Sequence, residues 1–133
     1  MKILGFSRVE LMLSADEIVG AVAKFNDVLG FALAPPKSLN DGDVLSTTDW
    51  NAHIELIAPG RPESPLSPRL ALKGRGGIGP LVWEVDDIDA ARAELVGKGA
   101  SIYYEYEGEG IKQICLDPAE FYGYVITFMQ RVK

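Results

Sequence analysis

The feature that most constrains this chain is one order of elements that occurs twice. Residues 3–13 alternate, with Val9, Leu11 and Leu13 on one side and Arg8, Glu10 and Met12 on the other, which predicts a strand with two unlike faces. Ser14-Ala15-Asp16-Glu17 has capping-box spacing and opens a helix running to about Leu29, with Ile18, Val22, Phe25 and Leu29 on its apolar side. Gly30 ends it, because glycine takes the left-handed conformation without Cβ strain. Three strands are expected next, at 31–34, 44–48 and 52–57, the last two joined by Asp49-Trp50-Asn51. The second half repeats this order: a strand at 81–85, a helix capped by Asp86 and Asp87 with Ile88, Ala91 and Leu95 on its apolar side, then strands at 101–106, 111–116 and 122–129. Arg8 and Pro80 stand 72 residues apart, and so do Glu55 and Thr127. A constant offset at both ends of a module is what an internal duplication leaves. The expected fold class is α+β: two tandem β-α-β-β-β modules, 1–58 and 79–133, with mixed sheets and helices outside. A Pro/Gly-rich linker, 59–78, joins them, with a turn of helix expected near Arg69–Lys73.

Composition narrows the function classes. At 133 residues the chain is long enough to bury a core without a disulfide or metal staple. Its net charge of −6 argues against nucleic acid or an anionic membrane as partner, since both need a basic face. The one cysteine, Cys115, excludes an internal disulfide and a Cys-based zinc site, and its alternating surroundings predict a small core residue. No apolar stretch approaches the ~20 residues of a spanning helix, and Arg8 and Glu10 interrupt the N-terminus before a signal-peptide core can form. A soluble cytoplasmic protein is expected.

Several local segments match one family. They are Phe25-Asn26-Asp27-Val28-Leu29-Gly30-Phe31 at the first helix exit, Ile54-Glu55-Leu56-Ile57-Ala58-Pro59 at the fourth strand, and Glu63-Ser64-Pro65 with Lys73-Gly74-Arg75-Gly76-Gly77-Ile78 in the linker. Trp83-Glu84-Val85-Asp86-Asp87-Ile88 at the start of the second module, and Asp117-Pro118 with Gly123-Tyr124-Val125 at its last turn, complete the set. Together they resemble the vicinal oxygen chelate superfamily of glyoxalase I, bleomycin-resistance proteins, extradiol dioxygenases and methylmalonyl-CoA epimerase, and within it the epimerase branch. The resemblance implies that each module curls into half a cup around a small molecule. It also implies four metal-ligand positions, on the first and last strands of each module, which here hold Arg8, Glu55, Pro80 and Thr127. The usual occupants are His or Gln, Glu or Gln, His, and Glu, so only Glu55 suits a metal. Pro80 has no side-chain donor, Thr127 is a weak neutral oxygen, and Arg8 is always cationic. A guanidinium at ligand distance would repel a divalent ion by roughly 8 kcal/mol at 4 Å with an effective dielectric of 20. No metal and no cofactor are expected.

Strand parity then groups the candidate site. Arg8 shares a face with Glu10 and Met12; Glu55 with His53 and Ile57; Thr127 with Val125 and Met129; Pro80 with Val82 and Glu84. If these faces line the cup, Arg8, Glu10, His53, Glu55 and Glu84 all point inward, and buried charges are costly unless paired. One reading is a self-satisfied network in which Arg8 fills the space of a metal and pairs with Glu55. The other is a ligand site in which Arg8 binds a carbonyl or anionic oxygen while Glu55 or His53, the lone histidine, moves a proton. Tyr104 and Tyr106 share one face, opposite Tyr103 and Glu105, and either stabilise the sheet or line the cup. Met12 and Met129 are adaptable filling. Trp50 carries the same ambiguity as the tyrosines, whereas Trp83, of opposite parity to Pro80, belongs to the sheet–helix core. Asp41 lies loosely where the epimerase branch keeps a catalytic acid, and Lys73 and Arg75 are weak candidates for touching an anion.

Two functions fit these residues. The first is metal-independent binding of a small carbonyl- or carboxylate-bearing molecule, with Arg8, Glu10, Met12, Glu84, Tyr104, Tyr106, Thr127 and Met129 as binding residues. The alternative is a metal-free isomerase, epimerase or lyase moving a proton beside a carbonyl, with Glu55 and His53 as acid/base and Arg8 as oxyanion stabiliser. A small molecule is the expected partner, and open edge strands favour a homodimer.

Overall fold

The structure, a computed structural model, describes residues 1–73 and 77–132. Arg75, named above as a candidate anion contact, the Gly74–Gly76 stretch and the side chain of Lys73 lie outside the described residues. The chain divides into two compact units: an N-terminal unit, Arg8–Gly79, and a C-terminal unit, Pro80–Lys133 together with Met1–Ser7.

The N-terminal unit contains most of β1 (Ile3–Met12), then α1 (Ala15–Leu29), β2 (Lys37–Leu39), β3 (Val44–Asp49), β4 (Ile54–Pro59) and α2 (Leu66–Lys73). Its strands run in the order β2-β3-β4-β1, antiparallel except for the parallel β4–β1 pair. The α1 start is a complete capping box: the Ser14 hydroxyl and backbone N–H both donate to Glu17, and Gly30 closes the helix at φ 73°. Ile18, Val22 and Phe25 of α1 pack with Leu11, Leu56, Ala58 and Leu33 on one face of this sheet. Leu29, expected on that stripe, is exposed instead.

The C-terminal unit contains β5 (Gly77–Val85, from Pro80 onward), α3 (Ile88–Gly97), β6 (Ile102–Gly108), β7 (Ile111–Leu116), a 3-10 turn at Pro118–Glu120, and β8 (Ile126–Arg131), ordered β5-β8-β7-β6. Asp87 caps α3 by accepting from the Ala90 N–H. Ile88, Ala91 and Leu95 pack on Val85, Ile114, Leu116 and Phe128, with Trp83 against the same core as expected. Trp83 also meets Phe6 edge-on, ring centroids 5.7 Å apart. Cys115 is buried.

Both units are thus mixed sheets with one helix-covered face, an α+β fold built twice. The repeat is visible in the register. Val9, Glu10, Leu11 and Met12 pair with Ile54, Glu55, Leu56 and Ile57. The residues 72 positions later, Leu81, Val82, Trp83 and Glu84, pair with Ile126, Thr127, Phe128 and Met129.

Three boundaries differ from the sequence reading. The segment 31–34 is no strand; β2 lies beyond Pro35-Pro36. Side chains take its backbone groups: Asn26 bonds both the N–H and the C=O of Leu33 at 2.9 Å, Asp49 accepts from Ala32, and Thr47 donates to the Ala34 carbonyl. A backbone satisfied by side chains has no need of a neighbouring strand. The β3–β4 turn extends through His53, because Asp49 accepts from the N–H groups of both Asn51 and Ala52. The last strand starts at Ile126 rather than at 122, since the 3-10 turn capped by Asp117 occupies the preceding residues.

Candidate functional site

The face of the N-terminal unit's sheet opposite α1 carries the charges. Alternation along β1 turns Leu11 and Leu13 toward α1 and Arg8, Glu10 and Met12 the other way. The register then sets Glu10 beside Glu55 on the adjacent parallel strand, with Thr48 and Ser46 on the same face of β3. Arg8 is 2%, Glu10 5% and Glu55 6% exposed. The Arg8 Nε donates to Glu55 Oε1 at 2.5 Å, and its Nη2 lies 3.4 Å from Glu10 Oε2. Ser46 Oγ donates to the other Glu55 oxygen at 2.6 Å. Glu55 is therefore held on both oxygens by short bonds.

Two further features shape this cluster. Trp50 lies over Arg8, with the guanidinium carbon 5.0 Å from the ring centroid, a cation–π arrangement. Trp50 is itself 39% exposed and sits on the turn fastened by Asp49. Backbone N–H donation from Ala32, then from Ala52 and Asn51, lowers the Asp49 pKa below its ordinary value, with His53 adding a smaller pull. Behind the cluster, Gly79 passes so close to β1 that a Cβ there would stand 3.0 Å from the Glu10 carbonyl oxygen and 3.4 Å from the Met12 methyl. Only glycine fits that approach without a backbone shift.

The matching face of the C-terminal unit is neutral at its centre. Val82, Thr127 and Met129 are fully buried, with Gln113 and Cys115 beside them on β7. Thr127 Oγ1 donates to Cys115 Sγ at 3.4 Å. Tyr104 and Tyr106 continue this face on β6, opposite Cys115 and Gln113, so the expected parity holds, with Tyr103 at an irregularity in the ladder. Glu84 lies on the same face, but toward its polar margin, 3.6 Å from Arg131. A cleft at the α3 side of this unit is lined by Asp89, Arg92, Glu105 and Lys112, whose charges cancel in the pairs Arg92–Glu105 and Lys112–Asp89.

The structure relocates one expected site residue. His53 was expected on the strand face of Glu55. It sits in the turn before β4 at φ 57°, exposed, with its carbonyl accepting from Val9. The long Asp49-capped turn moves it off the pleat, so strand parity does not apply. Asp41 likewise lies in a left-handed turn at φ 55°, exposed. Two residues were missed. Ser46, in a plain alternating strand, has no signal of its own; the register makes it a Glu55 partner. Trp50 was read only as ambiguous, and its place over Arg8 depends on the turn.

No family model matches the chain. An ethylmalonyl-CoA/methylmalonyl-CoA epimerase of Cereibacter sphaeroides is 29% identical over 124 residues, 89% of this chain and 92% of that protein. The crystal structure of methylmalonyl-CoA epimerase from Mycobacterium tuberculosis superposes with a TM-score of 0.82 at 21% identity, over 98% of this chain and 90% of that one. The chain shares the fold of that epimerase. A variant of Streptomyces coelicolor methylmalonyl-CoA epimerase in complex with 2-nitronate-propionyl-CoA is similar too, with a TM-score of 0.80, 17% identity, and coverage of 99% and 100%.

Of the four positions at which the vicinal oxygen chelate resemblance expects metal ligands, Arg8 and Glu55 bond each other in the N-terminal unit. Pro80 is buried and has no donor atom, and the Thr127 hydroxyl is spent on Cys115.

Proposed function

We propose that this chain binds a small carbonyl-bearing acyl molecule and moves a proton beside the carbonyl, an epimerase- or isomerase-type reaction run without a divalent metal. The observation that carries the proposal is the buried set of Arg8, Glu10, Glu55 and Ser46 on the sheet face opposite α1. The named relatives act on, or are complexed with, acyl-CoA thioesters, which supports that substrate class. The cluster supplies the two things such a reaction needs. A guanidinium stabilises negative charge growing on an enolate oxygen, and a carboxylate in a water-poor site takes the proton from the neighbouring carbon.

A divalent metal does not suit these four positions. Arg8 Nε lies 2.5 Å from Glu55 Oε1, where a metal on that carboxylate would have to stand. A cation there would meet a fixed positive charge and a carboxylate already engaged on both oxygens. In the proposed reaction Arg8 takes the electrophile's role. The protein is further proposed to act in the cytoplasm and as a homodimer.

The second reading is ligand binding without chemistry. Engagement of both Glu55 oxygens favours it, because Arg8 and Ser46 already occupy the atoms that would have to reach a substrate proton. Incubation with methylmalonyl-CoA and propionyl-CoA in D2O separates the two. Deuterium appearing at the carbon beside the thioester carbonyl supports proton transfer. Saturable binding by calorimetry with no deuterium uptake supports binding alone. Full activity that vanishes on chelation and returns with a divalent metal would sink the metal-free proposal.

A further inference from the structure

The Arg8 guanidinium, which the proposed reaction offers to a carbonyl oxygen, belongs to a residue only 2% exposed. A ligand can touch it only if something moves. The contacts to Arg8 named above differ in how they are held. Glu10 and Glu55 are buried on strands paired with each other, and Glu55 is fixed on both oxygens. Trp50 belongs to the turn between β3 and β4, is 39% exposed, and lays its ring over the guanidinium carbon at 5.0 Å. The backbone of that turn is fastened: Asp49 Oδ1 accepts from the N–H groups of Asn51 and Ala52 at 3.0 Å, and Oδ2 accepts from Ala32 at 2.8 Å. Motion of the whole turn would break these bonds, whereas rotation of the Trp50 side chain breaks none of them. The ring lies over Arg8, on the face opposite the α1 core, so its departure leaves that core packed.

Resting on the small-molecule reading above, we infer that Trp50 is the door to Arg8. Its indole ring covers the guanidinium when no ligand is bound, and it swings into solvent to let the carbonyl oxygen of an acyl ligand dock in its place. The ring suits this part. Its π-face attracts the guanidinium, and indole does so best among the aromatic side chains, so the closed position is favoured. An incoming carbonyl oxygen offers the same cation a charge-assisted hydrogen bond, so ligand binding shifts the balance toward the open position. Rotation of a part-exposed side chain is fast, so the door sets a population rather than a slow step. It also selects: a molecule without an oxygen able to replace the ring at the guanidinium gains nothing by displacing it.

The test has two readouts, one of which needs no acyl ligand. Phenylglyoxal, an arginine-selective dicarbonyl, is reacted with the wild type, Trp50→Phe and Trp50→Ala, and modification of Arg8 is followed by peptide mass spectrometry. Arg8 is expected to react about tenfold faster in Trp50→Ala and about threefold faster in Trp50→Phe. Arg92, with a half-exposed side chain in the other unit, is expected to keep its wild-type rate. The buried Cys115 reports unfolding through its thiol reactivity and is expected to stay protected. Where Trp50→Ala loses that protection, the conservative Trp50→Phe decides on the same comparison. Stopped-flow association of methylmalonyl-CoA is expected to quicken by the same factors, because a mostly closed site binds in proportion to its open fraction. A purely structural ring, holding the guanidinium in place, would give unchanged or slower association and a looser complex. Arg8 labelling within about twofold of the wild-type rate in Trp50→Ala, or association unchanged or slowed, overturns the inference and leaves the small-molecule reading standing. Faster labelling with no binding of methylmalonyl-CoA by the wild type supports the door and overturns the acyl ligand class.

Discussion

Where the N-terminal unit sets Glu10 beside Glu55, the C-terminal unit sets Val82 beside Thr127, at the same register of the same parallel strand pair. The backbone is repeated and the chemistry is not. On the helix side the two units agree: Leu56 and Phe128, equivalent in the repeat, both pack under a helix. On the side opposite α1 and α3, one unit is charged and interlocked, whereas the other is apolar at its centre, with one hydroxyl spent on a thiol. The difference teaches that helix-facing positions answer to packing, which both copies share, while the opposite face was free to diverge. At this register the C-terminal copy, with Val82 and Thr127, offers no acid or base.

The sharpest way to break this contrast is to impose one face on the other. Arg8→Met removes the cation and leaves two buried carboxylates; the expected loss of stability by urea unfolding is up to about 5 kcal/mol. Adding Glu10→Val and Glu55→Thr, the residues of the second copy, is expected to recover most of it, and a triple variant no better than the single one would show that pairing is not what holds these charges. The reverse graft, Thr127→Glu, places a carboxylate at a fully buried site without a cation. Burial raises its pKa, so its penalty grows as pH rises above the unfolded value and is expected to be about 4 kcal/mol larger at pH 7 than at pH 4. On the shared face, Leu56→Ala and Phe128→Ala are expected to cost similar amounts, about 3 kcal/mol each; a large disparity would break the likeness of the two cores.

The smallest expected effect concerns the turn beneath Trp50. The Asp49 pKa is depressed by backbone N–H donors, so its contribution to stability is present above the unfolded value of about 3.8 and is lost as pH falls through the lower folded value. Asp49→Asn is thus expected to be less stable than the wild type at pH 6, with the gap closing toward pH 2. A gap independent of pH would detach the turn from this carboxylate.

Much of this was legible in the chain. Alternation in 8–13 and 81–85, the capping box at Ser14–Glu17 and the 72-residue offset are local patterns, and each has a direct structural counterpart. Arg8 and Glu10 could be placed on one face from parity, and the family resemblance added Glu55 to it. His53 could not, because parity holds only inside a strand and the Asp49-fastened turn runs past it. The stretch 31–34 failed for a related reason: its apolar composition suits a strand, but Asn26, Thr47 and Asp49, up to 17 residues away, claim its backbone groups.

By itself, then, the sequence determined the two-copy architecture, the helix-facing cores and the shared face of Arg8 and Glu10. Periodicity and capping depend only on near neighbours along the chain. Tertiary structure alone decided that Ser46 holds one oxygen of Glu55 while Arg8 holds the other, that Trp50 covers the guanidinium and that Gly79 passes close behind Glu10. Those are contacts between distant segments, set by ladder register and turn geometry to within a few tenths of an ångström.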